Sequence, residues 1–405
     1  MATAYQYSVR DRAGKLVTGS LTADSEALVV QRLKAMGYAP LTVTATGGGM
    51  KKEIKIPGFG GKVKLKEISI MARQFATMIN AGLSLLRALT ILTEQTESKV
   101  LAGVLGTVRN EVEAGNALSA ALGKHPRIFP PLMVNMTKAG EVGGFLDSVM
   151  LQIADNYEAE VKLKSKIKSA MTYPIVVLCI AILAVFGMLL FVVPTFTKMF
   201  KQLGGKLPLP TQILVDISNS LTLLLPVVII LFVAGVITWS RVKLAPQVRN
   251  VVDPLKLKIP VFGNLFKKVA IARFSRNLGT MMKSGVPILQ SLDIVADTTG
   301  NVILARAVRD IQKSIREGES ITSPLANHAI FPPMVAQMMA VGEDTGALDN
   351  MLTKIAEFYD QEIEATTESL TALLEPIMIA FLGGIVGSMI VALYMPIFKI
   401  FSLIS

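Results

Sequence analysis

The chain has 405 residues, 51% of them apolar, a formal charge of +11 at pH 7 and one cysteine, Cys179. One cysteine forms no intrachain disulfide, and the basic excess comes with few aromatics and lies largely beside apolar runs, which fits lysines at an anionic lipid surface and argues against a nucleic-acid partner. Three runs without a charged residue, Ser169 to Thr197, Ile217 to Ser240 and Pro376 to Phe398, each have the roughly 20 residues that a bilayer-crossing helix needs, so a simple soluble protein is excluded.

The chain begins without an apolar leader core, and its first domain is expected to stay on the side where it is made. Tyr5, Tyr7 and Val9 alternate with polar residues as a strand, Arg12-Ala13-Gly14 makes a turn, and Lys15 to Leu21 reads as a second strand. Asp24 or Ser25 caps a helix predicted to bury Leu28, Leu33 and Met36 and to stop at Gly37, and Leu41 to Thr44 supplies a third strand. Residues 1–46 are thus expected to form a β-β-α-β module. Residues 47–64, rich in glycine and lysine, read as a flexible linker; a phosphate-binding loop would need a following Gly-Lys-Ser/Thr.

From residue 65 the period becomes helical. Ile70, Phe75, Met78 and Ile79, then Leu85, Leu86, Leu89 and Leu92, fall on apolar faces on either side of Gly82. Helices continue through Val100 to Val112, Leu118 to Leu122 and Leu132 to Met136, the last starting after Phe129-Pro130-Pro131, with Gly115, Gly123 and Gly140 as stops. The helix from about Phe145 keeps its spacing through Val149, Ile153, Tyr157 and Val161 to Lys162, Lys164, Lys166 and Lys168, and then meets the first apolar run, with a kink expected at Pro174.

Residues 65–168 are therefore expected to be a first helical bundle, 169–197 a first span, 198–216 an outer loop, 217–240 a second span, 241–370 a second bundle, 371–398 a third span and 399–405 an outer tail. Seven Lys/Arg between Arg241 and Lys268, against three between Lys198 and Asp216, put both bundles on the cytoplasmic side. The fold class is mainly α: a polytopic membrane protein with two homologous cytoplasmic bundles, three transmembrane helices and a small N-terminal module.

The homology is internal. Residues from about Arg73 to Pro194 recur from about Arg276 to Pro396, 202 residues apart at the two FPP segments and 203 apart at Met78 and Met281. A bundle and its membrane anchor are repeated together. The unrepeated span from Ile217 to Ser240 is what returns the chain so that both copies stand the same way up.

No catalytic constellation emerges, and no enzyme is expected. His125 and His328 sit in loops without metal-binding companions. Glu141 and Asp147 in the first copy, and Glu343, Asp344 and Asp349 in the second, either offer oxygens to a hard cation or charge-stabilise the start of the next helix; Glu141 and Asp147 are the weak metal candidates, and no cofactor is implied. The strongest local motifs are AGE-x-x-G-x-L at Ala139 to Leu146 and VGE-x-x-G-x-L at Val341 to Leu348. Gly140 and Gly342 are expected to end helices and Gly144 and Gly346 to let the next helix pack closely, the glycines and Glu141 and Glu343 serving as structural turns or as a partner contact. Gly383, Gly384 and Gly387 make a small face suited to helix packing within or between subunits. No span carries a central ionisable residue, which leaves little support for a transporter or channel subunit.

Taken together, Y-x-Y-x-x-R-D-x-x-G-K-x-x-x-G-x-L from Tyr5 to Leu21, L-x-x-x-G-Y-x-P-L-x-V from Leu33 to Val43, both FPP segments, both glycine-glutamate motifs and the three spans give a chain that resembles the inner-membrane platform proteins of type IV pilus assembly and type II secretion. The resemblance implies a non-enzymatic, homo-oligomeric adaptor of the bacterial inner membrane, with its N-terminus in the cytoplasm and its C-terminus in the periplasm. It implies as partners a hexameric cytoplasmic assembly or retraction ATPase, pilins or pseudopilins, and inner-membrane alignment proteins. It leaves open whether the filament is a pilus or a secretion pseudopilus, and it implies calcium at carboxylates near Glu141 only for some relatives.

Overall fold

The computed structural model describes residues 3–10, 16–23, 26–36, 38–45, 63–202, 208–242, 245–260 and 262–404. The chain divides into two compact units, Met1–Gly61 and Lys62–Ser405.

In the first unit β1 (Thr3–Arg10) is the central strand, flanked antiparallel by β2 (Leu16–Ala23) and β3 (Ala39–Ala45), with α1 (Glu26–Ala35) between β2 and β3 in sequence. Tyr7 pairs with Gly19 on β2, and its ring occupies the space a side chain there would need. The helix buries Val29 and Leu33, both 0% exposed, against Tyr7, Leu21 and Tyr38. Leu28 and Met36, expected inside, are exposed: a short helix on a small sheet covers one stripe, and the stripe here is i, i+4 from Val29. The expected turn at 12–14, the caps at Asp24 and Ser25, the stop at Gly37 and most of the linker lie outside the described residues.

Every element described in the second unit is a helix. Its first bundle comprises α2 (Leu65–Asn80), α3 (Leu85–Gln95), α4 (Lys99–Glu113), α5 (Leu118–Gly123), α6 (Pro131–Gly143) and the long α7 (Leu146–Gly187). Glu67 reaches back to the Lys64 amide to open α2. Pro131, whose missing N–H costs nothing in a first turn, opens α6. After α7 come a π-helical segment, Met188–Val192, then α8 (Val193–Gln202), α9 (Leu209–Val242) and α10 (Pro246–Lys258). The second bundle repeats the first as α11 (Phe262–Lys283), α12 (Ile288–Thr298), α13 (Val302–Arg316), α14 (Thr322–Asn327), α15 (Pro333–Thr345) and α16 (Leu348–Ile404). The pairs α3 and α12, α4 and α13, α5 and α14, and α6 and α15 match in length at 11, 15, 6 and 13 residues.

Each bundle closes around its own long helix, α2 against α7 and α11 against α16. Phe75, Leu89, Leu105, Phe129, Met136 and Ile153 are buried in the first. Ile70 and Leu86, placed on the apolar faces by periodicity, are exposed at 49% and 40%. An equivalent arginine pins both bundles: Arg73 on α2 bonds Glu158 and Asp155 of α7, and Arg276 on α11 bonds Asp360 of α16. The two carboxylates hold the Arg73 guanidinium well above arginine's usual value, Glu158 contributing most.

Three helices are long and apolar enough to cross a membrane: α7 with its continuation to Met199, α9 from Leu224 to Val242, and α16 to Pro396. The helix emerging from the first bundle passes Pro174 without a break, and helical structure occupies much of the expected outer loop. Of the prolines inside these helices, Pro174, Pro194 and Pro396 each leave a carbonyl without its helical donor, a costly defect in hydrocarbon. A hydroxyl from another helix meets each one. Ala170, four residues before Pro174, faces Thr371 Oγ1 at 3.5 Å; Leu189, left by the π segment and Pro194, accepts from Ser218 Oγ at 2.5 Å; Ala392, four before Pro396, accepts from Thr211 Oγ1 at 2.5 Å. Val193, Val215 and Leu393 form an apolar knot beside the last two.

The two copies meet side by side. Helix α7 lies against α11 and α16 of the second copy, with Gln152 on Ser284 at 2.6 Å, Asn156 on Asn277 at 3.2 Å, Glu160 on Arg273 at 3.1 Å and Lys166 on Glu364 at 2.5 Å. Helices α7 and α16 run parallel at nearly equal heights: Glu364 is the repeat equivalent of Lys162, one turn from its partner Lys166. Further along, Ala181, Ile182 and Val185 of α7 line an apolar cleft with Met378, Leu382 and Ile385 of α16.

Candidate functional site

The two glycine-glutamate motifs form equivalent turns at the α6–α7 and α15–α16 corners. The glycines exchange the roles expected of them. Gly144 and Gly346, at φ +75° and +69°, are the left-handed residues that end α6 and α15. Gly140 and Gly342 lie inside those helices and are buried, because the following helix starts directly against them. A Cβ at Gly140 would stand 3.1 Å from Leu146 Cα and from Val149, and one at Gly342 would stand 3.1 Å from Leu348 Cα and 3.0 Å from Met351.

The glutamates stabilise a helix start, though not that of the helix that follows them. Glu141 accepts from the amides of Leu118 at 2.5 Å and Ser119 at 3.0 Å, and so closes the open N-terminus of α5, which has no side-chain cap of its own. Glu343 accepts from the Ile321 amide at 2.9 Å and from Ser320 Oγ at 2.6 Å, doing the same for α14. Each motif thus ties three helices together. The sequence holds a signal for this in hindsight: an acidic residue follows the start of a six-residue helix without a capping side chain by 23 positions in the first copy and by 21 in the second.

Asp147 and Asp349 occupy the first turns of α7 and α16, where negative charge is favourable. His328 Nε2 lies 3.0 Å from Asp310. Among the described residues no three His, Cys, Asp or Glu side chains gather as a metal site, and both oxygens of Glu141 are taken by amides. Among the described residues a Cβ on Gly383, Gly384 or Gly387 would meet nothing within 4 Å, so no other described helix covers this small face.

The first turn also touches the second copy. The Phe145 ring lies over Gly143 and approaches Gly285, the turn between α11 and α12, while Asn135 of α6 accepts from Gln290 at 3.1 Å. Val142 stands out from the corner at 83% exposure, beside Phe145 at 37%. An apolar tip on a rigid, capped corner is suited to docking against another protein.

Replacing Glu141 by alanine is expected to cost about 2 kcal/mol, since two amides lose a charged acceptor. Glu343→Ala is expected to cost less, because Ser320 is exposed and finds water. Thermal melts of the two variants followed by helical circular dichroism check the order; equal, negligible shifts would refute the capping role.

The chain matches the family model of type II secretion system (T2SS) protein F over residues 71–194 and again over 274–396, and that of the type II secretion system protein F N-terminal domain over 1–44. It is 42% identical over 402 residues to the type IV pilus assembly protein PilC of Thermus thermophilus, covering 99% of each chain. It is 44% identical to the protein of the same name from Myxococcus xanthus, covering 98% of this chain and 95% of that one. It is 32% identical over 409 residues to the type II secretion system protein F of Vibrio cholerae, covering 99% of each.

Proposed function

This chain belongs to the type II secretion system protein F family, and on that premise we propose that it is the inner-membrane platform through which a cytoplasmic ATPase drives the assembly of a type IV pilus. The chain acts as a structural adaptor, not an enzyme. One observation carries the mechanical side of this reading: each helical bundle continues without interruption into a membrane-crossing helix, so a soluble partner that moves a bundle also moves a span. The pilus is favoured over the secretion pseudopilus because the pilus relatives reach 42% and 44% identity against 32% for the secretion relative.

Both bundles and the N-terminal module face the cytoplasm, and the C-terminus lies in the periplasm. The lysines before the first span and the Lys/Arg-rich stretch after the second support this orientation. Residues 1–46, 65–168 and 241–370 are the soluble parts and 169–197, 217–240 and 371–398 the spans. The partners are a hexameric assembly or retraction ATPase, pilins, inner-membrane alignment proteins and further copies of this chain. The corner at Val142 and Phe145 supplies one ATPase contact, held in place by Gly140 and Glu141.

The full-length protein in lipid nanodiscs is expected to bind its purified hexameric assembly ATPase, and Val142→Asp to weaken that binding at least tenfold with helix content unchanged. Absence of binding by the wild-type chain would overturn the platform reading. Equal binding by Val142→Asp would remove only this contact.

A further inference from the structure

The contact between the two copies is not two-fold. In a two-fold pair every contact would have a mate with the copies exchanged. The mate of Asn156 on Asn277 is Phe358 on Gln74, that of Asn135 on Gln290 is Gln337 on Arg87, and all four mate residues are exposed. The contact is therefore heterologous, and each chain retains one unused half at either end. Copy one keeps the face of α2 and α7 whose counterpart on copy two is covered. Copy two keeps the face of α15 and α16 whose counterpart on copy one does the covering.

We propose that these two unused faces bind each other between chains, so that the chain forms a closed ring in the membrane by repeating the contact it already makes within itself; this deepens the homo-oligomer reading given above. Chemistry at three levels supports it. At the cytoplasmic mouth of the spans, the mate of Lys166–Glu364 is Lys162 of one chain with Glu368 of the next, again a cation facing an anion, and both are exposed. Higher in the bundle, Phe358, 40% exposed, comes to the region of Ile70, 49% exposed, which leaves two apolar groups covered.

Within the membrane, the face of α7 at Ala181, Ile182 and Val185 that lines the cleft with α16 has as its equivalent Gly383, Gly384 and Gly387, where added side chains meet none of the described residues. The opposing equivalents are Val176, Ile180 and Leu183, exposed at 48%, 61% and 70%. Glycines against branched side chains permit a close helix approach. Because α7 and α16 are parallel and meet at nearly equal height, each repetition moves sideways along the bilayer without climbing out of it. A step of this kind keeps the assembly in the plane of the membrane, and it is a ring where the rotation about the membrane normal closes.

The test uses the full-length chain in membrane vesicles without ATPase, so its outcome is independent of the motor-coupling reading. In a Cys179→Ser background, Lys162→Cys combined with Glu368→Cys should give reducible species at multiples of the monomer mass on mild oxidation, and neither single cysteine variant should. Bands at monomer mass alone would overturn the proposal, as they would if lipid or the N-terminal unit covered this face. Two further variants guard against misfolding of the first. Lys162→Glu should cut the oligomeric fraction measured by light scattering in mild detergent at least fivefold, and Glu368→Lys added to it should restore that fraction. Gly384→Leu should also lose the oligomer with helix content kept. An unchanged oligomer in Lys162→Glu, or no recovery in the double variant, would refute the interface.

Discussion

Leucine in place of Gly342 is expected to destabilise the second bundle by about 2–3 kcal/mol, at the upper end of what overpacking costs in a close-packed interior. The methionine side chain of Met351 can move aside, but Leu348 Cα belongs to the backbone of α16, 3.1 Å from the new Cβ. Only separation of α15 from α16 makes room, and that pulls Glu343 from the Ile321 amide. Gly346→Ala acts differently. It meets nothing within 4 Å but must hold φ near +69°, a penalty of about 1–2 kcal/mol. Urea midpoints of the two variants in detergent separate the mechanisms, and Gly342→Leu with a wild-type midpoint would show that the close approach is not needed.

Methionine at Arg276 is expected to cost about 2–3 kcal/mol, and methionine at the repeat-equivalent Arg73 less than about 1 kcal/mol. The same pair has been placed in two settings. Arg276 is 11% exposed, and its partner Asp360 keeps its other oxygen buried without a hydrogen bond, so removal of the cation strands a carboxylate already short of partners. Arg73 is 34% exposed and its carboxylates 47% and 69%, so water takes over its role. Melting curves of the two variants, compared with wild type, give the difference directly. Equal shifts would mean that the covering of the second copy by α7 does not bear on this pair.

Periodicity and charge made much of the helical architecture legible. The apolar runs gave the spans, the repeat gave the correspondence of the two halves, and Phe129-Pro130-Pro131 and Phe331-Pro332-Pro333 marked the starts of α6 and α15. What escaped were relations between distant helices. Gly140 was legible as special but not as a packing residue, because a helical glycine and a capping glycine look alike in sequence and only the position of Leu146 distinguishes them. Glu141 was legible as a charge near a helix start, yet the start it serves belongs to α5, more than twenty residues back. Ile70 fits an apolar stripe and is exposed, since periodicity reports which face a helix turns inward and not where that face ends. The pairing of prolines with hydroxyls on other helices has no sequence spacing at all: Pro396 and Thr211 are brought together only by the fold.

Both copies end in helical rods of the same reach, Leu146 to Gln202 and Leu348 to Ile404, each 57 residues. At about 1.5 Å per residue a rod of that length spans roughly 85 Å, and tilting it by about 5° at the bundle end sweeps the far end through about 7 Å. That is leverage, obtained from secondary structure without a moving joint. The rods are unequal levers, since the first changes winding at Met188–Val192 and the second carries its α-helical winding through the matching stretch. A push delivered equally to both bundles would therefore emerge on the other side as a difference between two arms.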